Sequence, residues 1–384
     1  MQNKIKIAYI IETFDVGGRE KVVLDLCNGL NKNIFDVSLV VLSNDKLSST
    51  KFLNLDVKLY SLNINHKQLR SHSLFFQGLK PLVDVLKTIQ PNIIHSHMFY
   101  MPFFLTSLAI LFSNKNILHF RTVHTSGLFY ENQKTVLNKF RLLIEKISTK
   151  INKTYLVGIS KVVHNNNIKY FKNYASNIQL IYNGIDLNKF DKKNYNYSKT
   201  DFGLKESDIV ISYVARLDYG KNHHFLIDIW EDVKRKIPNA KLCFAGDGNL
   251  KEELMKEIEK KNLIDSIIFL GSISNVAELL SISDLAVFPS SFEGFSMVLL
   301  EKFAMSVAIV ASDIDAFKEI GNDGENCFLV SLQDKELYKK RIIELCENEH
   351  LRKQIGANAR LKAMEFDINK FIASHEEYYL KGLK

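Results

Sequence analysis

The 384-residue sequence predicts an α/β protein of two doubly wound domains facing across a deep crevice. Three observations carry that prediction. The length is too great for one ordinary domain and suits two. Short apolar runs with strand character alternate with longer helix-like segments, the pattern of parallel sheets covered by helices. The alternation stops at the polar stretch 188–204, which has neither a helical nor a strand period, and then begins again. Composition agrees: 46% apolar and 24% charged residues are globular values, and five prolines and seventeen glycines leave no room for a long Pro/Gly linker. Disordered, collagen-like and disulfide-scaffold proteins are excluded.

In the first half, strands are expected at Lys6–Ile11, Val37–Leu42, Val57–Leu62, Ile93–Ser96, Ile117–Thr122, Thr154–Ile159 and Ile178–Ile181. Helices are expected at Glu20–Leu30, Ser73–Thr88, Met101–Leu111 and Val136–Lys150. The second half restarts with strand Ile209–Val214 and continues with helix His223–Lys236, strand Lys241–Ala245, helix Leu250–Lys260 and strand Ile267–Leu270. Helix Val276–Ser281, strand Leu285–Phe288, helix Phe295–Met305 and strand Ala308–Ala311 follow. Helices near Asp334–Cys346 and His350–Glu365 lead into the aromatic-rich tail Phe366–Leu380. The domains are expected at 1–186 and 187–365, with 366–384 as a terminal helix. No internal repeat of fixed period is present.

Charge is uneven. Residues 1–186 hold 23 Lys and Arg against 11 Asp and Glu, whereas the remainder holds 28 against 32. A basic half suits an anionic partner, and equally a solvated lysine-rich surface. The four cysteines, Cys27, Cys243, Cys327 and Cys346, form no close pair, which fits a reducing compartment. The run Ile5–Ile11 ends at Glu12 with no cleavage site after it and reads as a strand. Met101–Phe112, the longest other apolar stretch, falls short of the roughly 20 residues a bilayer requires. A soluble, cytoplasmic protein is expected.

Several motifs fall where strands end. Gly17-Gly18-Arg19-Glu20 follows the first strand and opens a helix, where free N–H groups can meet a phosphate; it also reads as an ordinary tight turn. Arg216 and Lys221 follow the first strand of the second half, where two cations can hold a diphosphate in place of a metal, or can be plain surface charges. Glu293 lies on a loop before a helix and Glu301 two turns into it among Met297–Leu300 and Phe303. A carboxylate so placed needs a partner, either a sugar hydroxyl pair or a structural cation. His95 and His97 close a strand, but a metal site there would need further ligands and none lies close in sequence. His124 follows another strand as a candidate polar substrate contact. Asp313-Ile-Asp315 matches a three-residue metal-binding pattern too short to carry weight. No phosphate loop, HExxH, GxSxG or nucleic-acid signature is present, so no nucleic-acid partner is expected.

In order and spacing over some 300 residues these pieces resemble the retaining glycosyltransferases of family 4, which have the GT-B fold of two Rossmann-like domains. The resemblance takes in Gly17-Gly18-x-Glu20, His95-Ser-His97, Arg121-x-x-His124, Val157-Gly-Ile-Ser160 and Tyr182-Asn-Gly-Ile-Asp186. It continues through Arg216, Lys221, Gly246-Asp-Gly248 and Phe269-Leu-Gly271, and is strongest in the Glu-x7-Glu pair Glu293 and Glu301.

It implies metal-independent transfer of a hexose-type sugar from a nucleotide-sugar, most commonly a UDP-sugar, with retained anomeric configuration and no cofactor. Arg216 and Lys221 would hold the donor diphosphate. Glu301 would bind the ribose, and Glu293 with Gly294, Phe295 and Ser296 the transferred sugar. Backbone at Gly271–Ile273 would hold the base, and Gly17 and Gly18 would line the diphosphate. His124 would touch the sugar from the acceptor domain. The tail would cross back to the first domain.

Such enzymes commonly build capsule, exopolysaccharide or lipopolysaccharide on a lipid carrier. The basic half then suggests peripheral attachment to an anionic inner leaflet through segments such as Lys134–Lys153. Ser306 and Ala308 stand where the family usually has glycine and proline, and Asn326-Cys327 where it has Asn-Gly. Two rivals are a sugar-nucleotide epimerase, against which the Glu-x7-Glu pair argues, and a non-catalytic sugar-nucleotide-binding partner, against which all four charged residues argue.

Overall fold

The computed structural model describes residues 4–14, 17–43, 57–65, 73–113, 116–124 and 135–384. The chain forms two compact units, one of residues 1–184 with 368–384 and one of residues 185–367.

The first unit holds strands β1 (Ile5–Ile11), β2 (Phe35–Val41), β3 (Lys58–Ser61), β4 (Ile93–His97), β5 (Leu118–Val123), β6 (Tyr155–Gly158) and β7 (Asn177–Leu180). They pair in the order β3-β2-β1-β4-β5-β6-β7, every pair parallel. The helices are α1 (Gly18–Gly29), α2 (Ser73–Ile89), α3 (Tyr100–Ser113), α4 (Val136–Ile151), α5 (Lys161–Phe171) and, from the far end of the chain, α13 (Ile368–Leu383). Burial on both faces explains the near-continuous apolar strands. Along β1, Ile7, Tyr9 and Ile11 point into one core with Val23, Leu26 and Tyr379, while Ala8 and Ile10 point into another with Leu82, Leu86 and Phe103. The tail α13 joins the first core through Phe371, Tyr378 and Tyr379.

The second unit holds β8 (Ile209–Val214), β9 (Ala240–Ala245), β10 (Ile267–Gly271), β11 (Leu285–Phe288), β12 (Ala308–Ser312) and β13 (Phe328–Val330). Their order is β10-β9-β8-β11-β12-β13, again all parallel. Helices α6 (His223–Lys236), α7 (Lys251–Lys260), α8 (Val276–Ile282), α9 (Met297–Ala304), α10 (Asp315–Lys318), α11 (Lys335–Glu347) and α12 (Glu349–Ala363) alternate with them. Trp230 of α6 is wholly buried, and its indole N–H donates to Ser266 Oγ at 3.1 Å.

The polar stretch 188–204 lies within the second unit, with two 3-10 turns at Lys192–Asn194 and Lys199–Phe202. Its polar groups are tied down locally. Arg360 donates to Phe190 O at 2.6 Å and to Leu187 O at 3.1 Å, and Lys199 Nζ lies 2.8 Å from Asp284. The division falls at Gly184/Ile185, and the return at Asp367/Ile368.

Candidate active site

Each sheet reverses its winding once, between β1 and β4 in the first unit and between β8 and β11 in the second. Open α/β sheets bind ligands at the carboxyl ends of strands beside such a reversal, where neighbouring loops part in opposite directions. The loop after β8 carries Arg216 and Lys221, and the loop after β11 carries Glu293.

The β8 loop is held by the loop beside it. Ala215 N–H donates to Ala245 O and Leu217 N–H to Asp247 O, both at 3.0 Å, which carries the ladder past the strand ends. A Cβ on Gly246 would lie 2.0 Å from Ala215 O, and one on Gly248 2.3 Å from Leu217 O, so only glycines permit this approach. Arg216 projects from the loop with its side chain 77% exposed, 3.3 Å from Asp218. An ion pair this open contributes little, which leaves the guanidinium available to an anion.

Lys221 ends the 3-10 turn Tyr219–Lys221, and that turn is stitched to the β11 loop. Ser291 N–H donates to Gly220 O at 3.0 Å, and Tyr213 OH donates to Lys221 O. Asn222 adopts a left-handed conformation, φ 54°. Its side chain does not cap α6 but donates to Pro289 O at 2.7 Å and Ser291 Oγ at 2.6 Å. The outcome is a close ion pair, Lys221 Nζ to Glu293 Oε1 at 2.6 Å, with side chains only 21% and 16% exposed.

Beyond Glu293 the chain enters α9. Ser296 caps it, accepting from Leu299 N–H at 3.2 Å, and the remaining first-turn N–H groups give this end a partial positive charge. Gly294 is partly buried, and Phe295 packs on Phe366 with ring centres 5.8 Å apart. Glu301, in the second turn of α9, is buried. Gly271 closes β10 at φ 67° with open space where a Cβ would stand, and Ile273 packs against the core cluster that includes Val214 and Ala245. Lys221 and Glu293 are therefore in contact, while Gly271 and Ile273 sit off β10, two strands from β8.

Sequence reasoning missed Lys302. It is wholly buried, its ammonium 4.5 Å from the centre of the Phe288 ring and without a hydrogen-bond partner among the described residues. Burial pulls it down to about 7, against the attraction of Glu301 and Glu293. The signal was present: a lysine in an otherwise apolar helical stretch, directly after Glu301.

In the first unit, Gly17 is extended and precedes α1, which begins at Gly18. The Glu20 carboxylate folds back over Gly17, so that a Cβ there would meet it at 2.4 Å, and Glu20 pairs with Arg19 at 3.0 Å. The histidines that end β4 are satisfied within the protein on one side or both. His95 bonds Tyr379 OH at 2.5 Å and Thr122 Oγ1 at 2.8 Å, so hydroxyls occupy both ring nitrogens. His97 Nδ1 and His124 Nε2 lie 2.8 Å apart, one donating and one accepting, and His97 Nε2 is buried with no partner among the described residues. Burial holds His97 well below the ordinary histidine range and His124 at about 3.

Arg121 is structural. It forms a fully buried bidentate pair with Glu145 at 2.8 and 3.0 Å and lies 4.0 Å from the centre of the Phe103 ring. Asp313 of the Asp-x-Asp pattern pairs with Lys318 at 3.4 Å, and Asp315 opens α10.

Two family models match the chain: glycosyltransferase family 4 over residues 16–189 and glycosyl transferases group 1 over residues 196–362. The chain is 29% identical over 381 residues to the N-acetylgalactosamine-N,N'-diacetylbacillosaminyl-diphospho-undecaprenol 4-alpha-N-acetylgalactosaminyltransferase of Campylobacter jejuni, covering 98% of this chain and 99% of that one. It is 26% identical to the capsular polysaccharide biosynthesis glycosyltransferase CapH of Staphylococcus aureus, covering 82% of this chain and 83% of CapH. Anabaena HepE, solved with UDP and glucose, shares its fold at a TM-score of 0.79 and 18% identity, over 98% of this chain and 99% of HepE. With its two parallel sheets of matching strand order and a family model on each half, this chain belongs to glycosyltransferase family 4 and has the GT-B fold.

Proposed function

We propose that this glycosyltransferase moves a hexose-type sugar from a UDP-sugar to a lipid-linked saccharide, with retention at the anomeric carbon and without a metal, in surface polysaccharide synthesis at the inner face of the cytoplasmic membrane. The observation that carries this reading is the Lys221–Glu293 pair at the β8/β11 reversal, beside the N-terminus of α9 and the buried Glu301. It supplies a cation for the diphosphate and carboxylates for sugar and ribose hydroxyls within one loop system. The UDP and glucose bound by HepE support the donor class, and the names of the Campylobacter and Staphylococcus relatives support the acceptor and pathway.

In this reading Lys221 and Arg216 neutralise the departing diphosphate, the task of fixed charge in a preorganised site. The bond from the anomeric carbon to the phosphate oxygen breaks, and the acceptor oxygen bonds that carbon on the same face. The acceptor proton passes to the leaving phosphate, so no separate base is required. Glu293 and the backbone of Gly294–Ser296 orient the sugar, Glu301 the ribose and Gly271–Ile273 the base.

Calorimetric titration with UDP, GDP and ADP in the presence of a chelator tests it. Binding of UDP alone, lost in Lys221→Ala and Glu301→Ala, is expected. No binding of any of the three overturns the reading, and preference for GDP or ADP overturns the donor. An inverted anomer in the product, read by NMR, would overturn retention.

A further inference from the structure

Helix α4 buries a narrow face: Leu142, Glu145, Ser148 and Thr149 point inward. Glu145, its single acidic residue, is consumed by Arg121 and by the backbone N–H of Tyr100 at 2.7 Å. The opposite face is apolar and uncovered. Val136, Leu137, Phe140, Leu143, Ile147 and Ile151 are each between 37% and 84% exposed. At 100° per residue, all but Leu137 of these fall within about 80° of arc, a continuous stripe about 24 Å long. Lys139, Lys146 and Lys150 form a second row along one edge of it. Leu111 and Phe112 are also exposed, at the end of α3, which packs beside α4 through Ser107 and Ser148.

An apolar stripe of this length on a water-facing helix marks an interaction surface. A lysine row beside it and no outward acid is the pattern of a helix lying in a lipid interface. Charge decides the occupant. The first unit carries 26 Lys and Arg against 12 Asp and Glu, so a second copy of this face would set lysine row against lysine row in a strongly positive field. An anionic lipid surface complements both features, each nearby cation adding about 1 kcal/mol. No helix among the described residues is long and apolar enough to cross a membrane, which makes this contact a surface one.

We propose that α4 docks the protein on anionic bilayers, with Phe140, Leu143, Ile147 and Ile151 entering the headgroup–acyl boundary and Lys139, Lys146 and Lys150 pairing with lipid phosphates. This rests on the lipid-linked acceptor proposed above and names the surface through which the enzyme reaches it. Of the segment Lys134–Lys153 expected to attach, Lys134 lies outside the described residues. The contact is apolar first and basic second, rather than basic alone.

Co-sedimentation of the full chain with vesicles of phosphatidylcholine, with and without phosphatidylglycerol, tests it. Binding is expected only with phosphatidylglycerol present, weakened but not abolished by high salt. Phe140→Ser with Ile147→Ser should weaken it about tenfold or more, since each loses several buried methylenes at about 0.8 kcal/mol apiece. Wild type that stays in solution with both vesicle types overturns the proposal, as does undiminished binding by the double variant. A dimer in sedimentation velocity that this variant dissolves would assign the face to a second copy, and overturn it too. UDP titration of the same samples separates the two ideas. Vesicle binding without nucleotide binding sinks the transferase reading alone, and the reverse sinks the docking face alone.

Discussion

Lys221 and Glu293, 72 residues apart, meet at 2.6 Å where the second sheet reverses its winding. In the proposed complex the diphosphate competes for the lysine and a sugar hydroxyl for the carboxylate. The pair holds both groups in place before the donor arrives, because Asn222 and Ser291 lock the two loops together. Preorganisation of this kind removes a reorientation cost from the reaction.

The two partners should therefore fail differently. Lys221→Met is expected to weaken UDP binding about tenfold or more and to lower kcat by about 10²–10³, the range for loss of one charge-stabilising group. Glu293→Gln should leave UDP affinity within about threefold and lower kcat by a similar factor, since its proposed partner is the sugar. Titration with UDP and steady-state transfer assays on both variants check this. Equal loss of UDP affinity in the two would place Glu293 on the nucleotide instead.

Lys302 presents a buried ammonium with no hydrogen bond among the described residues, its charge met by the Phe288 ring and by the attraction of Glu301 and Glu293. Replacing such a charge with an apolar side chain of similar length commonly stabilises a fold. Lys302→Met is expected to raise stability by about 1–3 kcal/mol near neutral pH. The sign of the pH dependence follows from the lowered value of about 7 against the ordinary 10.5. Below 7 both folded and unfolded states carry the proton, and the penalty is complete. Between 7 and 10.5 the unfolded chain holds more protons, so wild-type stability rises with pH. The advantage of the methionine variant should shrink across that window, as read from urea midpoints.

Acid should act on the first unit. Burial holds His95 and His97 well below the ordinary range, His119 and His124 at about 3 and His375 at about 4. These groups stay neutral in the folded state while the unfolded chain takes up protons below about 6.5. Their contribution is therefore complete above that pH and lost as pH falls. Each buried neutral histidine costs up to about 2 kcal/mol between pH 6.5 and 5, at about 1.4 kcal/mol per unit. Urea midpoints measured across that range should fall steeply. His375→Phe, which removes a ring whose Nε2 has no partner among the described residues, should flatten the slope.

Much of this architecture was legible because two-sided burial writes each parallel strand as an apolar run. Helix α5 was not. Its Asn165-Asn166-Asn167 run has poor helix propensity, and it stands on the Ser160 cap, which accepts from Val163 N–H at 3.2 Å, and on buried Val163 and Phe171. Strand β13 has three residues and α10 four, too short to show a period. At the site, residue types and spacing named Lys221 and Glu293 separately. Their contact depends on β8 lying beside β11, which chain order does not state. Lys302 was passed over because lysines are almost never fully buried unless paired.

The turn that ends α9 offers a test of a departure visible in the sequence. Val307 N–H donates to Lys302 O and Ser306 N–H to Phe303 O, both at 3.0 Å, the paired bonds of a Schellman cap. Such a cap places its next residue in the left-handed region, and Ser306 sits there at φ 58°. A side chain in that conformation costs about 1–2 kcal/mol relative to glycine. Part of this is offset because glycine frees the unfolded chain. Ser306→Gly is therefore expected to stabilise the second unit by about 0.5–1 kcal/mol without altering UDP binding. The neighbouring Gly356 of α12 gives the opposite sign. A Cβ there would stand 2.1 Å from Ser306 O, against backbone that cannot yield without breaking the cap. Gly356→Ala should destabilise by about 1–3 kcal/mol, the range for overpacking. Thermal and urea midpoints of the two variants decide the matter, and a stabilised Gly356→Ala would mean that the turn is free to move away from α12.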